Sequence, residues 1–135
     1  MICVVDSGPL YAAADMDDQD HQASLDALSA PGRTLVIPAL VVAEVTCLIG
    51  ARLGVSAEAA FLEALASYDV EPPLPEEWPR IAELVRTYRD FPLGGTDASV
   101  MVLAERLGTP HVATLDRRHF LAVRPVHCTA YELLP

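Results

Sequence analysis

Four carboxylates sit where ordinary surface acids do not. Asp6 ends the apolar run Ile2–Val5, and Glu44 interrupts Leu40-Val41-Val42-Ala43-Glu44-Val45. Asp97 opens the stretch that carries Val100, Val102 and Leu103, and Asp116 follows the run His111–Leu115. An ionised carboxylate in apolar surroundings costs free energy unless it is paired or bound to a cation. The chain has no lysine, so its 9 basic residues are all arginines and no ammonium group can neutralise these acids. Mechanisms that need a lysine are excluded. Hard divalent cations, Mg2+ or Mn2+, are the natural partners of carboxylate and water oxygens. Such ions held by carboxylates suit phosphodiester hydrolysis, in which the metal activates water and stabilises charge on the attacking or leaving oxygen. Each acid also has an ordinary reading. Asp6 and Asp97 could cap helices, Glu44 could pair with an arginine, and Asp116 could sit in a turn. Their joint placement favours a shared site.

The elements that must position them alternate between strand and helix. Strands are predicted at Ile2–Val5, Thr34–Ile37, Asp69–Glu71, His111–Leu115 and Val126–Thr129. Helices are predicted from Pro9 to Ala14, Asp18 to Ala30, Ala39 to Leu53, Glu76 to Arg89, and from a Thr96 or Asp97 cap to Leu107. A further helix, capped by Ser56, lies after Gly54. Proline in a first turn and glycine just past a last turn place several of these boundaries. Short strands separated by helices imply a parallel sheet covered on both faces. The carboxyl ends of such strands open onto one crevice. There Asp6 and Asp116 would meet, and the starts of the helices carrying Glu44 and Asp97 would converge on them.

Composition bounds the rest. The chain has 135 residues, 52% hydrophobic and 21% charged, which fits one domain over residues 1–135 and excludes a disordered chain. A net charge of −10 argues against a general electrostatic grip on nucleic acid or on an anionic membrane. Removing the four site acids still leaves −10 + 4 = −6, so any nucleic acid must be held by bound metal and a local arginine strip. Cys3, Cys47 and Cys128 are widely spaced and are expected to be buried thiols in a reducing compartment. The N-terminal run lacks a basic segment, and the apolar stretch Leu35–Ala51 is interrupted by Pro38 and Glu44. A cytoplasmic, membrane-free protein is expected. The acids Asp15, Asp17, Asp18 and Asp20 read as a solvated loop and helix start.

Four ordered segments carry a resemblance. Val4-Val5-Asp6-Ser7-Gly8-Pro9-Leu10, Val42-Ala43-Glu44-Val45, Gly95-Thr96-Asp97-Ala98 and Thr114-Leu115-Asp116-Arg117-Arg118-His119-Phe120 resemble the motifs of PIN-domain nucleases, over nearly the whole chain. Size and motif order are similar to those of the VapC-type toxins of bacterial toxin–antitoxin pairs. The resemblance implies a three-layer α/β fold with about five parallel strands and a Mg2+- or Mn2+-dependent endoribonuclease. It also implies a homodimer, and inhibition by a cognate antitoxin. Residue by residue, it assigns Asp6, Glu44, Asp97 and Asp116 as metal-site carboxylates. Ser7 and Thr114 fall where relatives often place a hydroxyl, and are secondary candidates. Gly8-Pro9 departs from the more usual Ser or Thr followed by Ala.

Arg117 and Arg118, beside Asp116, are candidates for contacts to RNA phosphates, with solvated surface arginines as the plain alternative. His119 reads as turn packing, with a part in positioning substrate as the alternative, His21, His111 and His127 show no ligand spacing, and Trp78, Tyr88 and Phe91 read as core or dimer packing. Receiver domains and haloacid-dehalogenase phosphatases also place acids at strand ends, but both use a lysine that this chain lacks. Two alternatives stay open: a non-catalytic binding module of the same fold, and a nuclease acting on DNA.

Overall fold

The computed structural model describes residues 1–135. Its five strands are β1 (Ile2–Val5), β2 (Thr34–Pro38), β3 (Asp69–Glu71), β4 (His111–Ala113) and β5 (Glu132–Leu134). They form one sheet in the order β3-β2-β1-β4-β5, with every pairing parallel. The helices are α1 (Ser7–Ala14), α2 (His21–Ser29), α3 (Ala39–Leu53), α4 (Val55–Ala64), α5 (Trp78–Thr87), α6 (Gly95–Leu107) and α7 (Arg117–Ala122).

Successive strand side chains point to opposite faces. Cys3, Val4 and Val5 are consecutive and all fully buried, so helices cover both faces of β1 and the architecture has three layers. α3 lays the stripe Val41, Val45 and Ile49 into the core at a spacing of four, the period of one helix face. α6 is buried along Ala98–Ala104, because it packs between the sheet, α3 and α5. It ends at Gly108, whose φ of 64° is the left-handed conformation that closes a helix. Arg106 pairs with Glu71 at 3.4 Å and Glu77 at 3.3 Å, and Arg80 with Glu105 at 3.3 Å, tying α6 to the β3 edge and to α5.

The strand order carries the functional consequence. The chain moves outward from β1 through β2 to β3, then returns to place β4 on the other side of β1. The sheet therefore reverses direction between β1 and β4, the switch point at which open α/β sheets form their crevice. Asp6 N–H donates to the Ala113 carbonyl at 2.9 Å, carrying the pairing of these strands one step past β1.

Several boundaries differ from the sequence reading. The fifth strand is Glu132–Leu134, not Val126–Thr129: Val126 is exposed, and the Glu132 N–H bonds the Pro110 carbonyl at 2.8 Å to start the pairing with β4. Strand β4 stops at Ala113, and the unanticipated helix α7 begins at Arg117 because the Asp116 carboxylate caps it. Helix α1 starts at Ser7, α6 is capped by Gly94, and α4 follows Gly54 directly, without a Ser56 cap. The cysteine expectation holds for Cys3 alone. Cys47 lies off the buried stripe of α3 and is exposed, and Cys128 is half-buried. No helix is long and apolar enough to cross a membrane.

Candidate active site

Each of the four acids enters the crevice from a different element. Asp6 is the first residue past β1 and the N-cap of α1, its Oδ1 accepting the Ser7 N–H at 2.8 Å. Gly8 permits this tight turn: a β-carbon there would meet the Leu115 side chain at 3.1 Å. The departure from the usual motif at position 8 thus fits a close approach between the start of α1 and the β4–α7 connection. Asp6 Oδ2 accepts from Thr114 Oγ1 at 2.8 Å, and Thr114 Oγ1 in turn accepts the Asp116 N–H at 3.0 Å. Glu44 stands on the second turn of α3, where its carboxylate accepts a hydrogen bond from Ser7 Oγ. Asp97 lies in the first turn of α6. Asp116 caps α7.

These placements bring Asp6 and Glu44 within electrostatic reach of Asp97 and of each other, and Asp116 within reach of Asp97. Burial pushes the Asp6 carboxyl up to about 6, with the charges of Asp97 and Glu44 adding to the rise against the hydrogen bonds of Thr114 and Ser7. Asp97 is also raised, chiefly by burial, with Asp116 and Glu44 contributing and His119 opposing. Both shifts have the sign expected when negative charges share a partly desolvated space. No arginine forms an ion pair with any of the four; the basic group against them is the His119 ring.

His119 is where the sequence reading falls short. Its Nδ1 lies 2.6 Å from Asp116 Oδ2 and 3.1 Å from Asp97 Oδ2, while its Nε2 is 3.0 Å from the Phe91 carbonyl. Turn packing does not describe that position. The available signal was Asp116-x-x-His119: three positions apart is one face of a helix, but α7 itself was not anticipated. Glu44 is also corrected. It was placed in an otherwise buried segment, but its side chain points off the Val41–Val45–Ile49 stripe and is exposed to the crevice.

The chain matches the PIN-domain family over residues 3–124. It is 35% identical to the ribonuclease VapC26 of Mycobacterium tuberculosis across 134 residues, 98% of this chain and 99% of that protein. The chain is a VapC-type PIN-domain protein. Its fold is similar to the crystal structure of M. tuberculosis VapC20, a toxin that cleaves the sarcin–ricin loop. That likeness has a TM-score of 0.76 at 17% identity and covers 82% of this chain and 86% of that one. It is also similar to VapBC2 of Rickettsia felis, solved with a DNA fragment of its promoter, with a TM-score of 0.70 at 17% identity over 100% of both chains.

Among PIN-domain features, the carboxylate cluster is the part of this chain suited to a divalent cation. Asp97, Asp116 and His119 offer ligand atoms that all lie within 4.8 Å of one another. The donor set is mainly hard oxygen, which fits Mg2+ or Mn2+.

The two arginines beside Asp116 are exposed but not free of contacts. Arg118 donates to the Phe91 carbonyl at 3.3 Å and lies 5.2 Å from the centre of its ring, and Arg117 reaches the Pro135 carbonyl at 3.4 Å. Phe91 is half-buried against His119, Tyr88 packs on the core, and Trp78 is about half exposed, outside the core of the single chain. A separate groove of about 310 Å³ is lined by residues of α1, α2, β2, α4 and the segment after it, all aliphatic or aromatic, with the Tyr68 phenol as its one polar side-chain group.

Proposed function

We propose that this chain is a divalent-metal-dependent endoribonuclease acting as a VapC-type toxin, neutralised by a cognate antitoxin. The observation that carries the reading is the convergence of Asp6, Glu44, Asp97 and Asp116 at the β1/β4 switch point without a lysine or paired arginine. Full-length similarity to a VapC ribonuclease supports the substrate class. Asp6, Asp97, Asp116 and Glu44 would hold the Mg2+ or Mn2+. When bound, that cation supplies an activated water and stabilises charge on the phosphate and leaving oxygens.

The chain's own groups prepare the site. Thr114 fixes one Asp6 oxygen and, through the Asp116 N–H, the start of α7. Ser7 orients Glu44. Ser7 and Thr114 are thus positioning residues. Arg117 and Arg118, at the rim of a cleft with net negative charge, would meet the RNA phosphates. Residues 1–135 act as one nuclease unit, in the cytoplasm and as a homodimer.

The antitoxin is assigned to the apolar groove. Ala13, Ala14, Ala57, Ala60 and Ala64 leave its walls low enough for bulky apolar side chains to enter. The net charge of −10 favours a partner whose polar face is basic.

The test uses one structured RNA and a DNA of the same sequence, each incubated with the purified chain and Mn2+. RNA cut at defined positions with DNA intact is the expected result. Cutting of DNA alone would make the chain a deoxyribonuclease, and no cutting of either would favour the binding-module alternative.

A further inference from the structure

We propose that His119 is a nitrogen ligand of the same metal site, making it a mixed carboxylate–imidazole centre. This rests on the metal-site reading above and adds a residue and a metal preference to it.

The ring is held in two ways by Phe91. Its Nε2 faces the Phe91 carbonyl at 3.0 Å, and a carbonyl only accepts, so the proton of the ring stands on Nε2. The Phe91 ring packs edge-on against the imidazole with centroids 5.6 Å apart, and Arg118 clamps Phe91 through its carbonyl and its face. The side chain is only 15% exposed.

Nδ1 is therefore the atom presented to the acids. It is buried and lies 2.6 Å from Asp116 Oδ2 and 3.1 Å from Asp97 Oδ2, facing both carboxylates. With the ring proton on Nε2, the Nδ1 lone pair faces two carboxylate oxygens, and a cation held between the three atoms would replace that repulsion with ligation. The arrangement on the other side of the ring agrees. Imidazoles that bind metals almost always donate their second N–H to a carboxylate or backbone carbonyl, which fixes tautomer and orientation. Phe91 fills that role here. Asp116 and His119 are one turn apart on α7, and Asp97 reaches the same point from α6.

A nitrogen donor changes metal choice. Mg2+ strongly prefers oxygen, whereas affinity for sites with nitrogen rises along the first-row series from Mn2+ onward. The site should favour Mn2+ over Mg2+ by more than an all-carboxylate cluster would.

Pulsed electron paramagnetic resonance on the Mn2+-loaded, intact chain reads this directly. Wild-type protein should show strong 14N modulation from a coordinated imidazole, replaced by the 15N pattern when histidine is 15N-labelled. In His119→Gln the modulation should vanish, Mn2+ affinity should fall at least about tenfold, and Mg2+ affinity should change far less. The labelling arm needs no variant, so a misfolded substitution leaves the test intact. Mn2+ bound with no coordinated nitrogen in the wild type overturns the proposal while leaving the carboxylate site standing. Mn2+ affinity that holds or rises in a folded His119→Gln also overturns it, reducing the ring to a counter-ion. Failure of the wild type to bind Mn2+ at all would instead remove the metal reading on which the proposal rests.

Discussion

Thr114 Oγ1 donates a buried 2.8 Å hydrogen bond to Asp6 Oδ2, joining residues 108 positions apart in sequence. The bond spans the ends of adjacent strands β1 and β4, where the sheet changes direction. One hydroxyl thereby fixes the most deeply buried acid of the site and, by accepting the Asp116 N–H, the entry to α7. Its energetic consequence is measurable through Asp6.

Asp6 should make metal-free stability depend on pH. Its folded pKa is raised to about 6 from the ordinary 3.8, so folding favours the protonated carboxyl. That contribution is fully present below about pH 4 and is lost as pH rises through about 6, after which the buried charge costs about 3 kcal/mol. Asp6→Asn removes the ionisation and keeps a similar shape. Urea melts in EDTA should show the variant gaining on wild type between pH 4 and pH 7, with a plateau above. A gap that does not change with pH would mean the carboxyl is not burdened by burial.

Glu44 separates a metal-holding role from a structural one. It is exposed to the crevice, bonded by Ser7 and unpaired with any arginine, so Glu44→Gln strands no buried partner. Metal affinity and cleavage should fall together, while stability in EDTA holds or rises slightly as like-charge repulsion is relieved. A loss of 3 kcal/mol or so in EDTA with metal binding intact would instead indicate a buried ion pair.

Arg117 and Arg118 test the phosphate strip. Changing both to Ala should weaken RNA binding and flatten its salt dependence, with the slope of log K against log salt shrinking by roughly one to two. Arg118 also clamps Phe91, so the single Arg117→Ala variant reports on phosphate contact with less structural disturbance. An unchanged slope would make both arginines ordinary surface residues.

The groove assignment predicts separable functions. Ala60 is exposed on α4, so Ala60→Glu places a charge in the apolar wall without burying it in the core. Binding of the cognate antitoxin should weaken at least about tenfold, because an unpaired charge is buried in the complex, while RNA cleavage persists. Unchanged antitoxin affinity would move that interface elsewhere.

Much of this fold was legible because its signals are local. The β-branched run at Ile2–Val5, Gly54 past α3, and Gly108 past α6 mark boundaries by chemistry that acts within a few residues. β5 was misplaced because three short residues against one edge are specified by the β4 pairing, which sequence periodicity does not show. α7 was missed for a related reason: six residues capped by an aspartate already assigned to the site look like a turn. The four candidate acids stand out in the sequence because a charge in an apolar run is costly if that run is buried, a condition that Asp6 meets and the exposed Glu44 does not. His119 could not be found in that way. A histidine is unremarkable in sequence, and its position depends on Phe91 and Asp97, which reach it from separate segments.

If the clustered acids on this sheet cut RNA through a divalent cation, removing and restoring that cation must stop and restart the reaction. The most direct measurement follows cleavage of a defined structured RNA by the purified chain, first with Mn2+, then with excess EDTA, then with Mn2+ restored. Cleavage should stop in EDTA and return at the same positions when the metal is returned. Undiminished cleavage in EDTA would contradict the account.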